Sequence, residues 1–172
     1  LPSLRRAFNK TDFVSAKFIT GFCSQVKELF NVSGLKMIDL GYGSETISCI
    51  VENKDKCTKQ ELAACLNIPI CDYYITCGYN ASKAQRHHLM IDGIIANKVN
   101  LPPNTAIVIP LTYGSDKEVI KQSIMTQIEG TGLNVIFLTS FMTTEQVAAL
   151  RLITDLFIHI QTTDAYNASL QE

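Results

Sequence analysis

From residue 73 onward the chain alternates between short apolar runs and longer stretches whose apolar residues recur at helical spacing. Residues 73–78, 106–111, 134–139 and 156–160 read as strands. Between them, residues 81–99 place Ala84, His88, Ile91, Ile95 and Val99 on one helical face. Residues 116–129 turn Val119, Ile120, Ile124 and Ile128 inward, and Gly130 and Gly132 close that helix. A further helix opens at Thr143 or Thr144 and carries Val147, Leu150 and Ile153. Strands this uniformly apolar are buried on both faces, so the pattern implies an α/β fold: a Rossmann-like parallel sheet with helices on both faces. Spacing alone leaves the strand order open. In such sheets ligands gather at the carboxyl ends of the strands. Here those ends are Gly78-Tyr79-Asn80, Thr112-Tyr113-Gly114, Thr139-Ser140-Phe141-Met142 and Gln161-Thr162-Thr163-Asp164.

The first third of the chain is less regular. Residues 12–16 read as a short strand, and residues 18–30 as a helix with Phe18, Phe22, Val26, Leu29 and Phe30 at helical spacing. Residues 35–40 read as a strand that ends at Gly41-Tyr42-Gly43. Residues 47–56 lose periodicity and become charged, the composition of a linker. Thr58, with Glu61 three residues later, forms a capping box for a helix that carries Leu62, Cys65 and Leu66 and stops at Pro69.

Composition narrows the function. The 172 residues include 47% hydrophobic and 18% charged residues, a globular balance. A net charge of −1 offers no basic field for nucleic acid. The apolar runs are too short to span a bilayer. The six cysteines lack zinc-ribbon or redox-pair spacing, no histidine stands near them at ligand spacing, and no metal site is expected. They read as reduced core residues, which implies a cytoplasmic setting. Four Asn-x-Ser/Thr triplets begin at Asn9, Asn31, Asn80 and Asn167, and are taken as chance.

The C-terminal segment carries the most specific pattern. A strand, a polar loop and a helix-compatible stretch form a phosphate-binding geometry. Within it Asp164 and Glu172 stand with seven residues between them. This segment resembles the acid-x7-Glu donor motif of GT-B glycosyltransferases, with Asp at the first position, where Glu is commoner. Ile75-Thr76-Cys77-Gly78-Tyr79-Asn80, with a following helix containing Lys83, Arg86 and His87, resembles the first strand and phosphate-side loop of the donor domain. Residues 59–69 resemble the short helix that opens that domain, and Ile109-Pro110-Leu111-Thr112-Tyr113-Gly114 resembles the second strand in bacterial surface-polysaccharide transferases. Residues 12–43 resemble the end of the preceding acceptor domain.

The resemblance implies a division into residues 1–51, the tail of an acceptor-side domain with its linker, and residues 52–172, a nucleotide-sugar donor domain that stops mid-motif. It implies an enzyme that moves a sugar from a nucleoside diphosphate to a glycan or lipid-linked acceptor in cell-surface polysaccharide synthesis. Its place is the cytoplasm, with room for peripheral attachment at the inner face of the cytoplasmic membrane. The sugar nucleotide is the substrate, and no cofactor is implied. Glu172 is expected on the ribose hydroxyls, and Asp164 at the helix cap or the donor sugar. The amides near Asn167, Ala168 and Ser169 are expected on the diphosphate. Lys83 and Arg86 are expected to neutralise the leaving group, and Gly78, Asn80 and Thr139 to complete the donor-binding loops. Phe141 and Met142 lie where a base could rest. Catalytic acceptor-side groups are expected upstream of Leu1, and an incomplete sheet is expected to self-associate.

Two rivals stand beside this reading. A dinucleotide-binding oxidoreductase calls for Gly-x-Gly-x-x-Gly after the first strand, where this chain has Gly78 alone. A noncatalytic α/β module, receiver-like or binding a nucleotide or a partner, fits the same alternation. A receiver wants acids after its first and third strands, where Asn80 and Thr139-Ser140 stand instead.

Overall fold

The computed structural model describes residues 18–21, 36–39, 44–161 and 169. The chain divides into two compact units, Leu1–Ser44 and Glu45–Glu172. In the first, β1 (Phe18–Gly21) pairs in parallel with β2 (Lys36–Asp39). The strand expected at residues 35–40 is therefore present. Residues 18–21, expected to open a helix, are extended instead, because Phe-Ile-Thr is β-favouring chemistry and finds a partner strand. The strand expected at residues 12–16 lies outside the described residues.

The second unit holds α1 (Glu45–Asn53), α2 (Lys59–Leu66), β3 (Tyr73–Cys77), α3 (His87–Ala96), β4 (Thr105–Pro110), α4 (Lys117–Ile128), β5 (Asn134–Leu138), α5 (Thr144–Ile153) and β6 (Leu156–Ile158). Residues 47–56 are thus no linker: α1 covers most of them and packs on α5. The capping box between Thr58 and Glu61 forms as expected, and a second links Thr143 to Gln146 at the start of α5. In α2 the inward residues are Leu62, Ala63 and Leu66, and Cys65 is exposed.

β3 to β6 form a four-stranded parallel sheet in the order β5-β4-β3-β6. β3 and β4 are buried on both faces, and their alternate residues feed two cores. Tyr74, Ala106 and Val108 pack with Leu66, Leu150 and Ile153 beneath α2 and α5. Ile75, Cys77, Ile107 and Ile109 pack with Ile91, Ile94, Ile120 and Ile124 beneath α3 and α4. β6 was expected as a buried strand; it is a half-buried edge, with Leu156 exposed. The thiols of Cys71 and Cys77 belong to these cores, and burial pushes the Cys77 thiol up to about 12. Cys49 and Cys57 are half-buried, and Cys65 faces solvent. Among the described residues no helix is long and apolar enough to cross a membrane.

The segment expected as one helix over residues 81–99 is broken. A 3-10 turn, Lys83–Gln85, precedes Arg86, which is left-handed at φ 56°, and α3 starts afresh at His87. The new phase buries His87, Met90, Ile91 and Ile94 and leaves His88 and Val99 exposed. Val119, expected inward on α4, is also exposed, because the face that meets the sheet carries Ile120, Ile124 and the half-buried Ile128.

One carboxylate pins the amino end of the sheet. Asp155 accepts from the Tyr74 backbone N–H at 2.9 Å and from Lys59 Nζ at 3.1 Å, joining α2, β3 and the start of β6. Asp155→Ala strands a strand-end N–H, so it is expected to cost about 2 kcal/mol. Lys59→Met removes an exposed ion pair and a hydrogen bond to Asp72 O at 2.8 Å but strands no backbone N–H, and is expected to cost less, about 1 kcal/mol. Urea denaturation midpoints of the two variants check this ranking; equal losses would refute it.

Candidate functional site

Numbered within the second unit, the strand order is third, second, first, fourth. It reverses between β3 and β6, where the chain also changes faces: α3 and α4 pack together on one side, and α5 joins α1 and α2 on the other. Such a switch point opens a crevice beyond the carboxyl ends of its two strands.

The residues at that end are polar and tightly arranged. Gly78 follows β3 at φ +66°, and its backbone N–H donates to Ile158 O at 3.0 Å, tying the two strand ends together. A side chain there would set Cβ 2.8 Å from Gln85 Oε1 and 3.0 Å from His87 Nε2. Gln85 and His87 therefore press directly against the Gly78 turn. Gln85 Nε2 donates to Gln161 Oε1 from beyond β6, and the Tyr79 hydroxyl reaches the same oxygen at 3.4 Å. Tyr79 and His159 stack at 5.9 Å, and His159 stacks on Phe157 at 6.2 Å.

The loop after β3 is held by local hydrogen bonds. Asn80 Oδ1 accepts from Ser82 N at 3.0 Å, and Ser82 Oγ accepts from Ala84 N at 3.3 Å, which caps the 3-10 turn. The loop after β4 closes over it. Ala81 N donates to Tyr113 O at 2.7 Å, and Gly114, at φ +116°, passes so near that a Cβ would lie 2.6 Å from Ala81 O. Lys83 and Asp116 add an ion pair across the two loops at 3.6 Å.

Buried polar groups are ordinarily satisfied. Gln85 Oε1 and both ring nitrogens of His87 are buried and have no partner in the structure. His87 is 3% exposed. Burial, reinforced by the neighbouring His88, lowers its pKa from 6.5 to about 4, so the ring is neutral at pH 7. A neutral imidazole offers one donor and one acceptor, and the Gln85 carbonyl offers a further acceptor.

Of the residues singled out from sequence, Gly78, Asn80, Lys83 and Arg86 all fall on the β3–α3 connection at the switch point. Thr139 follows β5, two strand spacings or about 10 Å from β3, and its carbonyl accepts from Lys117 Nζ at 2.6 Å. A separate cavity of about 340 Å³ opens beside it, lined by Ser140, Phe141 and Met142 among others. Phe141 is 82% exposed, whereas Met142 packs on the α2–α5 core. Ser169 is half-buried, and its hydroxyl accepts from Arg151 Nη2 at 2.8 Å on α5. Asp164, Asn167, Ala168 and Glu172 lie outside the described residues.

Gln161 was placed among the strand ends where ligands gather, but Gln85 was not foreseen in the crevice. Its position within an apparently continuous helical period gave no signal, because the 3-10 turn that buries it is not visible in the spacing. The helical spacing set His88 on the inward face; the restart at Arg86 buries His87 instead and leaves His88 exposed.

Fold and crevice together define an α/β protein with a Rossmann-like sheet and a polar switch-point site. No protein-family model and no curated protein matches the chain.

Gly78→Ala adds a left-handed alanine and a Cβ against Gln85, so it is expected to destabilise by about 2 kcal/mol. Adding Gln85→Ala should return part of that loss, a coupling that a double-mutant cycle in urea measures; strict additivity would refute the contact. The pKa of His87 is lower in the folded state than its ordinary 6.5. The unfolded chain therefore binds the extra proton first, so stability is full above about pH 6.5 and declines toward pH 4. The slope contributed is at most about 1.4 kcal/mol per pH unit. Thermal melts across that window should flatten in His87→Phe relative to wild type.

Proposed function

We propose that the second unit is the donor-binding part of a GT-B-type glycosyltransferase, and that its crevice receives the nucleoside diphosphate of a sugar nucleotide. The observation that carries this reading is the switch point itself. The β5-β4-β3-β6 order, the Gly78 turn and the basic β3–α3 connection meet at one end of the sheet. Gly78, at φ +66°, permits the sharp turn that ends β3 beside β6. Lys83 and Arg86 supply cations beside it, and developing charge on a leaving diphosphate is stabilised by cations held in place beforehand. The exposed Phe141 offers a base a flat apolar face.

The complete enzyme, on this reading, passes the sugar to a glycan or lipid-linked acceptor for cell-surface polysaccharide and works in the cytoplasm or at the inner membrane face. Asp164 and Glu172 retain their donor-side roles, Glu172 accepting from the ribose hydroxyls. The strand order weighs against a receiver-like module, whose order within the sheet is 2-1-3-4-5.

Arg86 gives the sharpest test. Its left-handed backbone is costly for a residue with a side chain, by about 1–2 kcal/mol. Strain of this kind clusters at ligand-holding positions. Arg86→Gly removes strain and cation together, so the melting temperature should hold while nucleoside diphosphate binds about ten-fold more weakly. Calorimetric titration of UDP, GDP, dTDP and NAD into wild type, Arg86→Gly and Glu172→Ala reads this out. One diphosphate binding saturably, and losing about ten-fold with either substitution, supports the donor site. A folded protein that binds none of the four overturns it.

A further inference from the structure

We propose that Gln161 is a ligand-binding residue of the switch-point crevice and donates through its side-chain amide to the diphosphate, an inference that rests on reading the crevice as a nucleoside-diphosphate site. Gln161 stands three residues past the end of β6 at Ile158. Ile158 O accepts from Gly78 N, so the segment after β6 starts at the crevice. It forms one wall, and the β3–α3 connection forms the other.

The Gln161 amide is held by its oxygen. Oε1 accepts from Gln85 Nε2 and from the Tyr79 hydroxyl, the second at 3.4 Å. Both donors are themselves fixed. Gln85 is fully buried in the 3-10 turn that Ser82 caps. The Tyr79 ring stacks on His159 at 5.9 Å, and His159 stacks on Phe157. Two donors on one oxygen set the direction in which the amide points.

A side-chain amide accepts at oxygen and donates at nitrogen. With Oε1 taken up inside the protein, Gln161 has only its N–H groups left to offer. Nε2 meets no acceptor among the described residues, yet it is not one of the sealed-off groups such as Gln85 Oε1. Gln161 is half-buried, and its nitrogen is the end of the amide open to a ligand. A face that only donates suits a ligand group that only accepts. In a nucleoside diphosphate those groups are the phosphate oxygens, because the ribose hydroxyls also donate. The diphosphate then meets Lys83 and Arg86 from one wall and a neutral donor from the other. A donor already held in place needs no reorganisation when the ligand arrives.

The test titrates pyrophosphate, UDP, GDP and dTDP into the whole chain by calorimetry and follows the Gln161 side-chain N–H groups by NMR. Gln161→Glu keeps an oxygen to accept from Gln85 and Tyr79, so the melting temperature should hold. Its outward donor becomes an acceptor, and the diphosphate that wild type binds is expected to bind about ten-fold more weakly, or worse. Gln161→Leu adds no charge and should also weaken binding about ten-fold. In wild type the Gln161 N–H resonances should move at saturation with the bound probe. A folded wild type that binds none of the four removes the donor reading and this inference with it. A diphosphate that wild type binds and either variant binds as tightly, or Gln161 N–H resonances that stay still at saturation, overturns the inference alone.

Discussion

β3 is buried on both faces, and the arrangement of the second unit follows from that. Tyr74 and Thr76 look into one core and Ile75 and Cys77 into the other, all four at 1% exposure or less. A strand with two apolar faces needs helices on both sides, and parallel neighbours need crossovers to carry them. α3 and α4 meet the need on one side. The other side is covered by α2 together with α5, and the crossing through α5 sends β6 to the far flank of β3. The crevice is the geometric remainder: the β3–α3 connection leaves the end of β3 toward one face, and β6 lies on the opposite flank of β3 from β4.

The treatment of buried polar atoms differs between the two ends of the sheet. Within the sheet and at its amino end the buried side-chain groups among the described residues are answered, while Gln127 Oε1 on α4 is not. Thr76 and Thr154 share a 2.7 Å hydrogen bond, and the Tyr74 hydroxyl donates to Pro69 O at 2.9 Å while accepting from Cys71 N at 2.7 Å. Asp155 serves both a strand N–H and Lys59. At the carboxyl end, Gln85 Oε1 and the His87 ring are left unanswered within a few ångström of a glycine turn that admits no Cβ. Polar groups whose burial stabilises nothing in the fold itself call for an explanation beyond the fold's own packing.

Much of the architecture was legible in local chemistry. The capping box at Thr58, the four apolar strands and the inward pair Ile120 and Ile124 each rest on interactions within a few residues, which a sequence displays directly. Residues 18–21 and α1 were misread because their structure is decided by distant partners: β2 in one case and α5 in the other. Strand order was illegible for the same reason. The β3–α3 connection was recognised by its residue types, but Gln85, His87 and Gln161 converge only once β6 has come to lie beside β3.

The break at Arg86 shows how a local irregularity produces the site. Residues 81–99 have an uninterrupted helical period, and no glycine or proline marks a stop near residue 86. A continuous helix would have set Ala84, His88, Ile91 and Ile95 toward the sheet. The left-handed turn at Arg86 restarts the helix on a different phase, so that His87, Met90 and Ile94 flank Ile91 instead. Only in that phase does an imidazole reach the Gly78 turn from below. The backbone cost at residue 86 and the desolvation cost at residue 87 are thus one feature. Both would disappear in an unbroken helix, along with the polar floor of the crevice, and natural chains keep such departures from local preference where a ligand is held.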